Sequence, residues 1–236
     1  MSSKISVVIN DKTIETETGK TVLEVCRENG IHIPVMCYFK GLSNVGACRL
    51  CLVEIEGFNK LLPACTTIVA HDQKIKTDTE RLRTSRRVIV EMFFSEKNHM
   101  CSICVANGNC ELQDLAQEVG MDHVRLPFLS QPCEVDASHK YFVIDHNRCV
   151  MCTRCVRVCS EVEGAHNWDV KNRGYQARII SDFNQPWGES ITCTSCGKCV
   201  DVCPTGALWS KGTVQGHLVK NGKKVTDLVE QRGSQI

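Results

Sequence analysis

Hydrophobic and polar residues alternate along the first part of the chain. The turn-forming residues 10–11 separate two strand-like runs, so the pattern predicts a β-hairpin over residues 4–17. Thr21 and Glu24 then have the spacing of a capping box, which predicts a short helix that ends at Gly30. With the strand-like runs that follow, this order describes a compact β-grasp-like module. Those runs are residues 52–56 and 74–78.

Two helical patterns come next. Residues 80–94 contain neither Gly nor Pro, and their apolar residues recur at helical spacing, which predicts an amphipathic helix with Arg86 and Arg87 on its surface. Residues 110–120 predict a second helix. The apolar face of the first helix is expected to hold Leu82, Val88, Ile89, Met92 and Phe93.

The later segments carry weaker patterns. Residues 127–138 are expected to form an irregular linker, and residues 141–144 a short strand. Residues 211–236 are polar and carry no motif, so we expect a docking segment or a poorly ordered tail.

Composition and charge narrow the class of protein. The chain has 236 residues, 42% of them hydrophobic, and a formal net charge of +1, which gives no reason to expect nucleic acid or an anionic membrane as a partner. The first residues show no secretory signal, and no apolar run approaches the ~18 residues of a spanning helix. We therefore expect a cytoplasmic protein. In that reducing compartment, cysteines are thiols or metal ligands rather than disulfides.

Cysteine is the unusual component, with 17 residues that fall into four groups and two outliers. The third and fourth groups have the same C-x2-C-x2-C-x3-C spacing, and each cysteine of one recurs 44 residues later. This internal repeat indicates two copies of one ligating unit. The groups are Cys37, Cys48, Cys51, Cys65; Cys101, Cys104, Cys110; Cys149, Cys152, Cys155, Cys159; and Cys193, Cys196, Cys199, Cys203, with Cys26 and Cys133 left over.

The repeated run is typical of two-cluster bacterial ferredoxins, in which the fourth cysteine of each run ligates the other cluster. That pattern predicts two [4Fe–4S] sites, with Cys159 and Cys203 exchanged between the runs. Structural zinc is the alternative, but it uses cysteine pairs brought together from two places. Ser160 replaces the proline that follows the last cysteine of such runs, and the connection to Cys193 is longer than in a minimal ferredoxin. The predicted sets are Cys149, Cys152, Cys155 with Cys203, and Cys193, Cys196, Cys199 with Cys159.

The first two groups carry a family resemblance. Residues 37–57, CYFKGLSNVGACRLCLVEIEG, resemble the N-terminal [2Fe–2S] domain of the large iron–sulfur subunit of respiratory complex I and of iron-only hydrogenases, although the first gap is ten residues rather than the plant-type four. Residues 98–116, NHMCSICVANGNCELQDLA, resemble the His-ligated [4Fe–4S] motif of the same families. The resemblance covers about residues 1–210. It implies a [2Fe–2S] site at Cys37, Cys48, Cys51 and Cys65 and a [4Fe–4S] site at His99, Cys101, Cys104 and Cys110.

Which residue completes the second site stays open at this point. The family usually has three residues between the ligating histidine and the first cysteine, whereas only Met100 separates His99 from Cys101. Cys133 is the second candidate, because thiolate is the commoner ligand. An ordinary linker thiol is the other reading of Cys133, and Cys26 is expected to be a plain core residue. The remaining histidines are read as surface or core residues: His32, His71, His123, His139, His146, His166 and His217.

Basic residues flank the ferredoxin runs at Arg148, Arg154, Arg157 and Lys198. They either offset thiolate charge and raise cluster potentials, or they are ordinary surface charges. The sequence alone does not choose between these two readings.

The expected fold class is α+β, with three iron–sulfur units and a tail. These are a β-grasp [2Fe–2S] ferredoxin domain (1–78), a small helical His/Cys-ligated [4Fe–4S] domain (79–135), a two-cluster bacterial-type ferredoxin domain (136–210) and the C-terminal tail (211–236). The expected cofactors are one [2Fe–2S] cluster and three [4Fe–4S] clusters.

Such a chain is expected to conduct electrons and to carry no catalytic residues of its own. It has no G-x-G-x-x-G and no P-loop, and only 33 residues follow Cys203, so we expect the path to begin and end on other subunits. The order of motifs and the short N-H-x-C-S-x-C-V variant resemble the diaphorase iron–sulfur subunit of the soluble NAD-reducing nickel–iron hydrogenase. That resemblance implies an FMN- and NAD(H)-binding subunit and the small and large nickel–iron subunits as partners.

Three alternatives remain at this stage. The same set of iron–sulfur sites would also serve an NAD-linked formate dehydrogenase or an electron-bifurcating hydrogenase. A zinc-bearing scaffold is a second alternative and a free-standing ferredoxin a third, although such carriers rarely need four centres.

Overall fold

The first part of the chain forms a five-stranded mixed sheet. The computed structural model describes residues 3–129 and 132–233. The predicted hairpin is present: β1 (Lys4–Ile9) and β2 (Lys12–Glu17) pair antiparallel. Positive φ angles of 49° at Asn10 and 65° at Asp11 make the tight turn between them. The sheet order is β2-β1-β5-β3-β4, completed by β3 (Leu52–Ile55), β4 (Leu62–Pro63) and β5 (Lys74–Lys76).

The predicted capped helix packs into the core of this sheet. In α1 (Val22–Glu28), the Glu24 N–H donates to Thr21 Oγ1, and the Thr21 N–H donates to Glu24 Oε2 at 2.7 Å. This confirms the capping box. Cys26 lies on the buried face of the helix, as expected for a core residue, and burial raises the pKa of its thiol to about 11.

The next helix is present, but its buried face differs from the predicted one. In α2 (Glu80–Glu96), Met92 is exposed and Arg86 is buried, so the surface position predicted for Arg86 is wrong. The Arg86 guanidinium donates to the backbone carbonyls of Leu50, Leu52 and Thr77. These bonds satisfy a buried charge that the helical pattern alone would place in water. The second predicted helix is α3 (Glu111–Glu118).

The last part of the chain holds two small sheets and two short helices. The predicted strand near residue 142 is β7 (Phe142–Asp145). It is the middle strand of a sheet with β10 (Leu208–Ser210) on one side and β6 (Val135–Asp136) on the other. A second hairpin, made of β8 (Trp168–Lys171) and β9 (Arg178–Ser181), fills the long connection between Cys159 and Cys193. The expected linker contains β6, and residues 130–131 of that linker lie outside the described residues. The two short helices are α4 (Arg154–Arg157) and α5 (Lys198–Val202).

The C-terminal segment is folded against the body, which favours a docking segment over a poorly ordered tail, the two alternatives that the sequence left. It ends in α6 (Gly222–Gly233), and residues 234–236 lie outside the described part of the chain. Leu218 and Val225 are buried, and Val225 belongs to the same core cluster as Cys155 and Cys203. Buried apolar contacts therefore hold this segment in place. Within residues 3–129 and 132–233, no helix is both long and apolar enough to cross a membrane.

Candidate metal centres

The first cysteine group converges in the loops around β3. Cys37, Cys51 and Cys65 are buried, and the Cys37 N–H donates to Cys48 Sγ at 3.4 Å. Hydrogen bonds with the thiols of Cys48 and Cys65 lower the pKa of Cys37, while those of Cys48 and Cys65 are raised. Cys37 is thus within hydrogen-bonding reach of Cys48 and Cys65, and Cys51 is within reach of Cys65. Three of the four thiols are buried, and Cys48 is half-buried. Converging thiols of this kind are the donors that an iron–sulfur cluster takes.

The second group surrounds a small cavity that is lined by His99, Cys101, Cys104 and Cys110. The His99 Nε2 atom is buried and has no hydrogen-bond partner among the described residues. Burial lowers the pKa of His99 to about 4, partly opposed by a hydrogen bond with the Phe93 backbone. The imidazole is therefore neutral. A hydrogen bond with the Phe93 backbone holds the ring, and the Nε2 atom is available to a ligand. That arrangement suits a ligand to a metal.

Cys133, the second candidate for this site, lies elsewhere. It lines a separate open cavity of about 1560 Å³, and its N–H donates to Asn147 Oδ1 at 2.9 Å. The structure therefore brings His99, and not Cys133, to the three cysteines of the second group.

Gly206 closes the second cavity on the opposite side. A Cβ atom at this position would lie 2.4 Å from Cys104 Sγ and 3.2 Å from Ala106 Cβ. Such a distance is far inside van der Waals contact, so a larger residue would fit here only if the Cys104 thiol moved aside. The sequence pattern did not identify Gly206, because its role depends on a segment about 100 residues away along the chain.

The structure brings the cysteines of the two repeated runs together in two mixed sets. One small cavity is lined by Cys149, Cys152, Cys155 and Cys203, and another by Cys159, Cys193, Cys196 and Cys199. We call these the inner site and the outer site, because Cys196 of the second set is exposed whereas Cys152, Cys155 and Cys203 are buried. Burial raises the pKa of the Cys149 thiol to about 12. Buried thiols of this kind need a cation to become thiolates.

The outer site has hydrogen-bond donors that the sequence reading missed. Trp187 Nε1–H donates to Cys193 Sγ at 3.3 Å, and the Asn167 N–H donates to Cys159 Sγ at the same distance. His139, read from the sequence as a surface or core residue, is a core residue that stacks on Trp187 with ring centroids 4.6 Å apart. Hydrogen bonds to thiolate sulfur are one of the means by which a protein sets a cluster's potential. No spacing rule connects these residues to the cysteines.

Two of the four basic residues near the runs are buried and two are half-buried, while an effect of any of them on a cluster potential stays a prediction. Arg154 is 2% exposed and Arg157 is 6% exposed, so neither is an ordinary surface charge. Arg148 lines the His99 cavity, and Lys198 forms an ion pair with Glu163. The charges of Arg154 and Arg157 both favour the Cys152 thiolate, although burial is the larger effect and raises the pKa of that thiol to about 11.

Each of the four donor sets therefore fits a cluster by its chemistry, which is four thiols or, at the second site, three thiols and a neutral imidazole. Within the described ranges, no three His, Cys, Asp or Glu side chains are spaced to share a single metal ion.

Comparison with known proteins defines the class. Family models match a 2Fe-2S iron-sulfur cluster binding domain at residues 2–80, an NADH-ubiquinone oxidoreductase-G iron-sulfur binding region at 86–125, and an NADH-quinone oxidoreductase subunit 3 ferredoxin-like domain at 141–209. The chain is thus an iron–sulfur protein with 2Fe-2S and 4Fe-4S binding domains, as predicted. The expected α+β fold class is also confirmed.

The relatives narrow the class to a family. The gamma subunit of the NAD-reducing hydrogenase HoxS of Cupriavidus necator is 31% identical over 208 residues, which cover 88% of this chain and 87% of that protein. A chain of the crystal structure of NAD+-reducing [NiFe]-hydrogenase in the H2-reduced state has a TM-score of 0.84 and 30% identity, and the match covers 90% of this chain and 89% of that one. The chain belongs to the family of the HoxS gamma subunit.

Longer proteins also match. The NADP-reducing hydrogenase subunit HndD of Solidesulfovibrio fructosivorans is 34% identical over 221 residues, and the NADH-ubiquinone oxidoreductase 75 kDa subunit of Reclinomonas americana is 32% identical over 207 residues. The matches cover 87% and 88% of this chain, but only 36% and 29% of those proteins. The chain therefore spans about a third of the length of these relatives.

Proposed function

We propose that this chain is an electron-transfer subunit that relays electrons through four iron–sulfur clusters between a nickel–iron hydrogenase module and a subunit that carries FMN and binds NAD(H). The observation that supports the relay most strongly is the set of three cavities, each lined by the four ligands expected for one [4Fe–4S] cluster. The converging thiols of Cys37, Cys48, Cys51 and Cys65 supply a [2Fe–2S] site.

Iron–sulfur clusters, when bound, accept and release one electron at a time. The residues of this chain hold the ligating sulfurs, exclude water from them and donate hydrogen bonds to them. Trp187 and Asn167 donate such hydrogen bonds at the outer site. No residue of the chain is proposed to act on a substrate, so the chain is part of an enzyme only as a subunit.

The packing of the ligands supports a continuous path. Cys37 and Cys152 are buried in one core cluster, with Cys48 and Cys110 packed against it. Ligands of the first, second and inner sites therefore meet in a single core. A second core cluster contains Cys155, Cys159, Cys199 and Cys203, which joins the inner and outer sites.

The outer site lies close to a surface suited to a partner subunit. Cys196 is exposed, and Phe183 and Ile191 are 95% and 96% exposed on the segment that leads to it. The Ile191 N–H donates to Asp182 Oδ2, which keeps both apolar side chains on the same stretch of surface. Large apolar side chains in water mark interaction sites when they cluster in this way. We therefore place a redox partner at this surface.

The identity of the partners rests on the relatives. The matching crystal structure is that of an NAD+-reducing [NiFe]-hydrogenase, and the match covers nearly all of the corresponding chain. By that analogy the assembly oxidises H2, reduces NAD+ to NADH and releases one proton from H2, and it runs in both directions. Its other members are the FMN- and NAD-binding subunit and the small and large nickel–iron subunits. A cytoplasmic location, where thiols stay reduced, is part of the proposal.

Purification of the native complex under anaerobic conditions tests this function. Nickel and flavin in the complex, together with H2-dependent NAD+ reduction, are the expected result. Molybdenum with formate-dependent activity would overturn it in favour of an NAD-linked formate dehydrogenase. A complex that contains iron-only hydrogenase activity and no nickel would overturn it in favour of an electron-bifurcating hydrogenase.

A further inference from the structure

Two arginines of α4 are buried beside the inner site. Arg154 lies between Cys152 and Cys155 in the sequence, and Arg157 between Cys155 and Cys159. Their exposed fractions of 2% and 6% are unusual for arginine, because removing a guanidinium from water is costly unless it is paired or hydrogen-bonded. Their partners therefore indicate what these charges do.

Arg154 connects the inner site to the His99 site. Its Nη1 and Nη2 atoms donate to the two carboxylate oxygens of Glu111 at 2.7 and 2.8 Å, and Nη1 also donates to the Val202 carbonyl at 3.3 Å. Glu111 directly follows Cys110, and Val202 directly precedes Cys203. One guanidinium thus contacts the residue next to a ligand of each of two sites, through the Glu111 carboxylate and the Val202 carbonyl. The bond to Glu111 has the paired geometry that gives arginine–carboxylate bonds their strength.

Arg157 connects the inner site to the first site. Its Nη2 atom donates to the carbonyls of Cys37 at 2.6 Å and Cys152 at 3.2 Å, and its Nη1 atom donates to the Ser43 carbonyl at 2.6 Å. All three acceptors are neutral carbonyls, so this positive charge is hydrogen-bonded but not neutralised. The Nε atoms of both arginines are buried and unpartnered within the described residues.

The internal repeat provides a comparison within the same molecule. The positions 44 residues after Arg154 and Arg157 are occupied by Lys198 and Asp201. Lys198 is paired with Glu163, and Asp201 Oδ1 accepts a hydrogen bond from the Asn221 N–H. Helix α5 of the outer site therefore has one ion-paired cation and a carboxylate. Helix α4 of the inner site has two buried guanidinium groups, of which Arg154 is paired with Glu111 and Arg157 is bonded only to carbonyls among the described residues.

We propose that Arg154 and Arg157 are positioning residues that keep the inner site reducible, by holding positive charge beside it and by fastening it to the His99 site and the first site. This inference rests on the proposed function. An electron added to an anionic centre in a buried, poorly screened environment is disfavoured, and a fixed cation close to that centre offsets the penalty. Net charge and burial are among the factors that set cluster potentials.

The test is a redox titration of the purified full chain, monitored by EPR, with iron content measured in each variant. Arg157→Met and Arg154→Met remove charge and are expected to lower the midpoint potential of one [4Fe–4S] signal. The equilibrium constant for its reduction should fall at least tenfold, which is about 59 mV for a one-electron couple. Arg157→Lys keeps the charge and should restore most of the potential.

Glu111→Gln gives a change of opposite sign. It removes the carboxylate that partly neutralises Arg154 while keeping a similar shape, so the potential of the inner site should rise. If the ion pair had only a structural role, substitution of Arg154 and substitution of Glu111 would shift the midpoint potential of the inner site in the same direction. Lys198→Met is the matched control from the second repeat, and it should leave the signal that responds to Arg154 and Arg157 unchanged.

Full iron content with unchanged potentials in the arginine variants would overturn the inference, and so would a fall in potential in Glu111→Gln. If a methionine variant loses iron, the lysine and glutamine variants still decide the question. A parent protein without reducible centres would contradict the proposed function itself. If the parent protein has reducible centres and the variants have the same midpoint potentials as the parent, only the role of the arginines would be contradicted.

Discussion

At the scale of single residues, His99 shows how the fold completes a site that the sequence leaves open. The sequence left His99 and Cys133 as alternatives, because His99 departs from the spacing usual in the family and thiolate is the commoner ligand. The structure places His99 at the cavity of the three cysteines, with a buried Nε2 atom that has no partner among the described residues, and places Cys133 at another cavity. That His99 ligates a cluster stays a proposal, and it can be tested directly.

We predict that His99→Cys retains a cluster whose midpoint potential is lower than in the parent protein. A thiolate in place of a neutral imidazole adds negative charge to the centre, which disfavours reduction, as the comparison of Cys- and His-ligated clusters shows. An EPR-monitored titration measures the shift.

Cys133→Ser is the matched control for this experiment and should leave all potentials and the iron content unchanged. An unchanged titration in His99→Cys would rule out His99 as a ligand. Loss of about four irons in Cys133→Ser would point to Cys133 instead.

Gly206 gives a second prediction at this scale. In Gly206→Ala, the new methyl group would lie 2.4 Å from Cys104 Sγ, a thiol that cannot move aside if it holds iron. We expect selective loss of the His99 site, seen as about four fewer irons per chain with the other signals retained. Full iron content in this variant would show that Cys104 is free to shift and is not fixed by a cluster.

At the scale of elements, local sequence patterns predicted which helices and strands form better than they predicted which face of a helix is buried. The hairpin of β1 and β2, the capping box of α1 and the positions of α2 and α3 follow from local signals. The buried face of α2 was predicted incorrectly because Arg86 is satisfied by carbonyls of a distant loop and strand. Hydrogen bonds to residues that are distant in the sequence cannot be predicted from the helical spacing of apolar residues.

The C-terminal helix α6 was missed for a related reason. Its few apolar residues do not form a strong pattern, yet Val225 is fully buried in the core that also contains Cys155 and Cys203. Lys220 Nζ adds a polar attachment by donating to the carbonyls of Cys203 and Thr205. The segment therefore covers the inner site rather than extending away from it.

We predict that Val225→Ala lowers the free energy of unfolding by about 1.5–3 kcal/mol, through lost burial and the cavity left behind. Val219→Ala is the matched control, because Val219 is exposed and its truncation should change stability by less than about 0.5 kcal/mol. Urea unfolding of both variants, followed by tryptophan fluorescence under identical anaerobic conditions, compares them. Equal midpoints for the two variants would show that α6 does not contribute to the core.

At the scale of the whole molecule, cysteine spacing predicted the two repeated sets and the exchange of Cys159 and Cys203 between them, whereas the first set and the His99 set came from the family resemblance. The structure brings the residues of each repeated set together at one cavity, and that they ligate clusters stays a proposal. The relative placement of the sites could not be predicted. It depends on long-range contacts such as those of Arg154 with Glu111 and of Arg157 with Cys37.

The same contacts explain why the chain suits a relay. Two core clusters contain ligands of neighbouring sites, so the protein between one site and the next is packed side chains and backbone rather than water. Packing at interior density fixes the separations of the sites. The exposed Cys196 and the apolar side chains near it are where the path meets the molecular surface.

The central claim is that the four donor sets hold iron and sulfide as reducible clusters. Anaerobic isolation followed by iron and acid-labile sulfide analysis, with EPR of the reduced protein, tests it most directly. The account predicts about 14 irons and about 14 sulfides per chain, with one [2Fe–2S] signal and three [4Fe–4S] signals. A colourless protein that contains zinc, or one whose few irons yield no reducible signal, would contradict it.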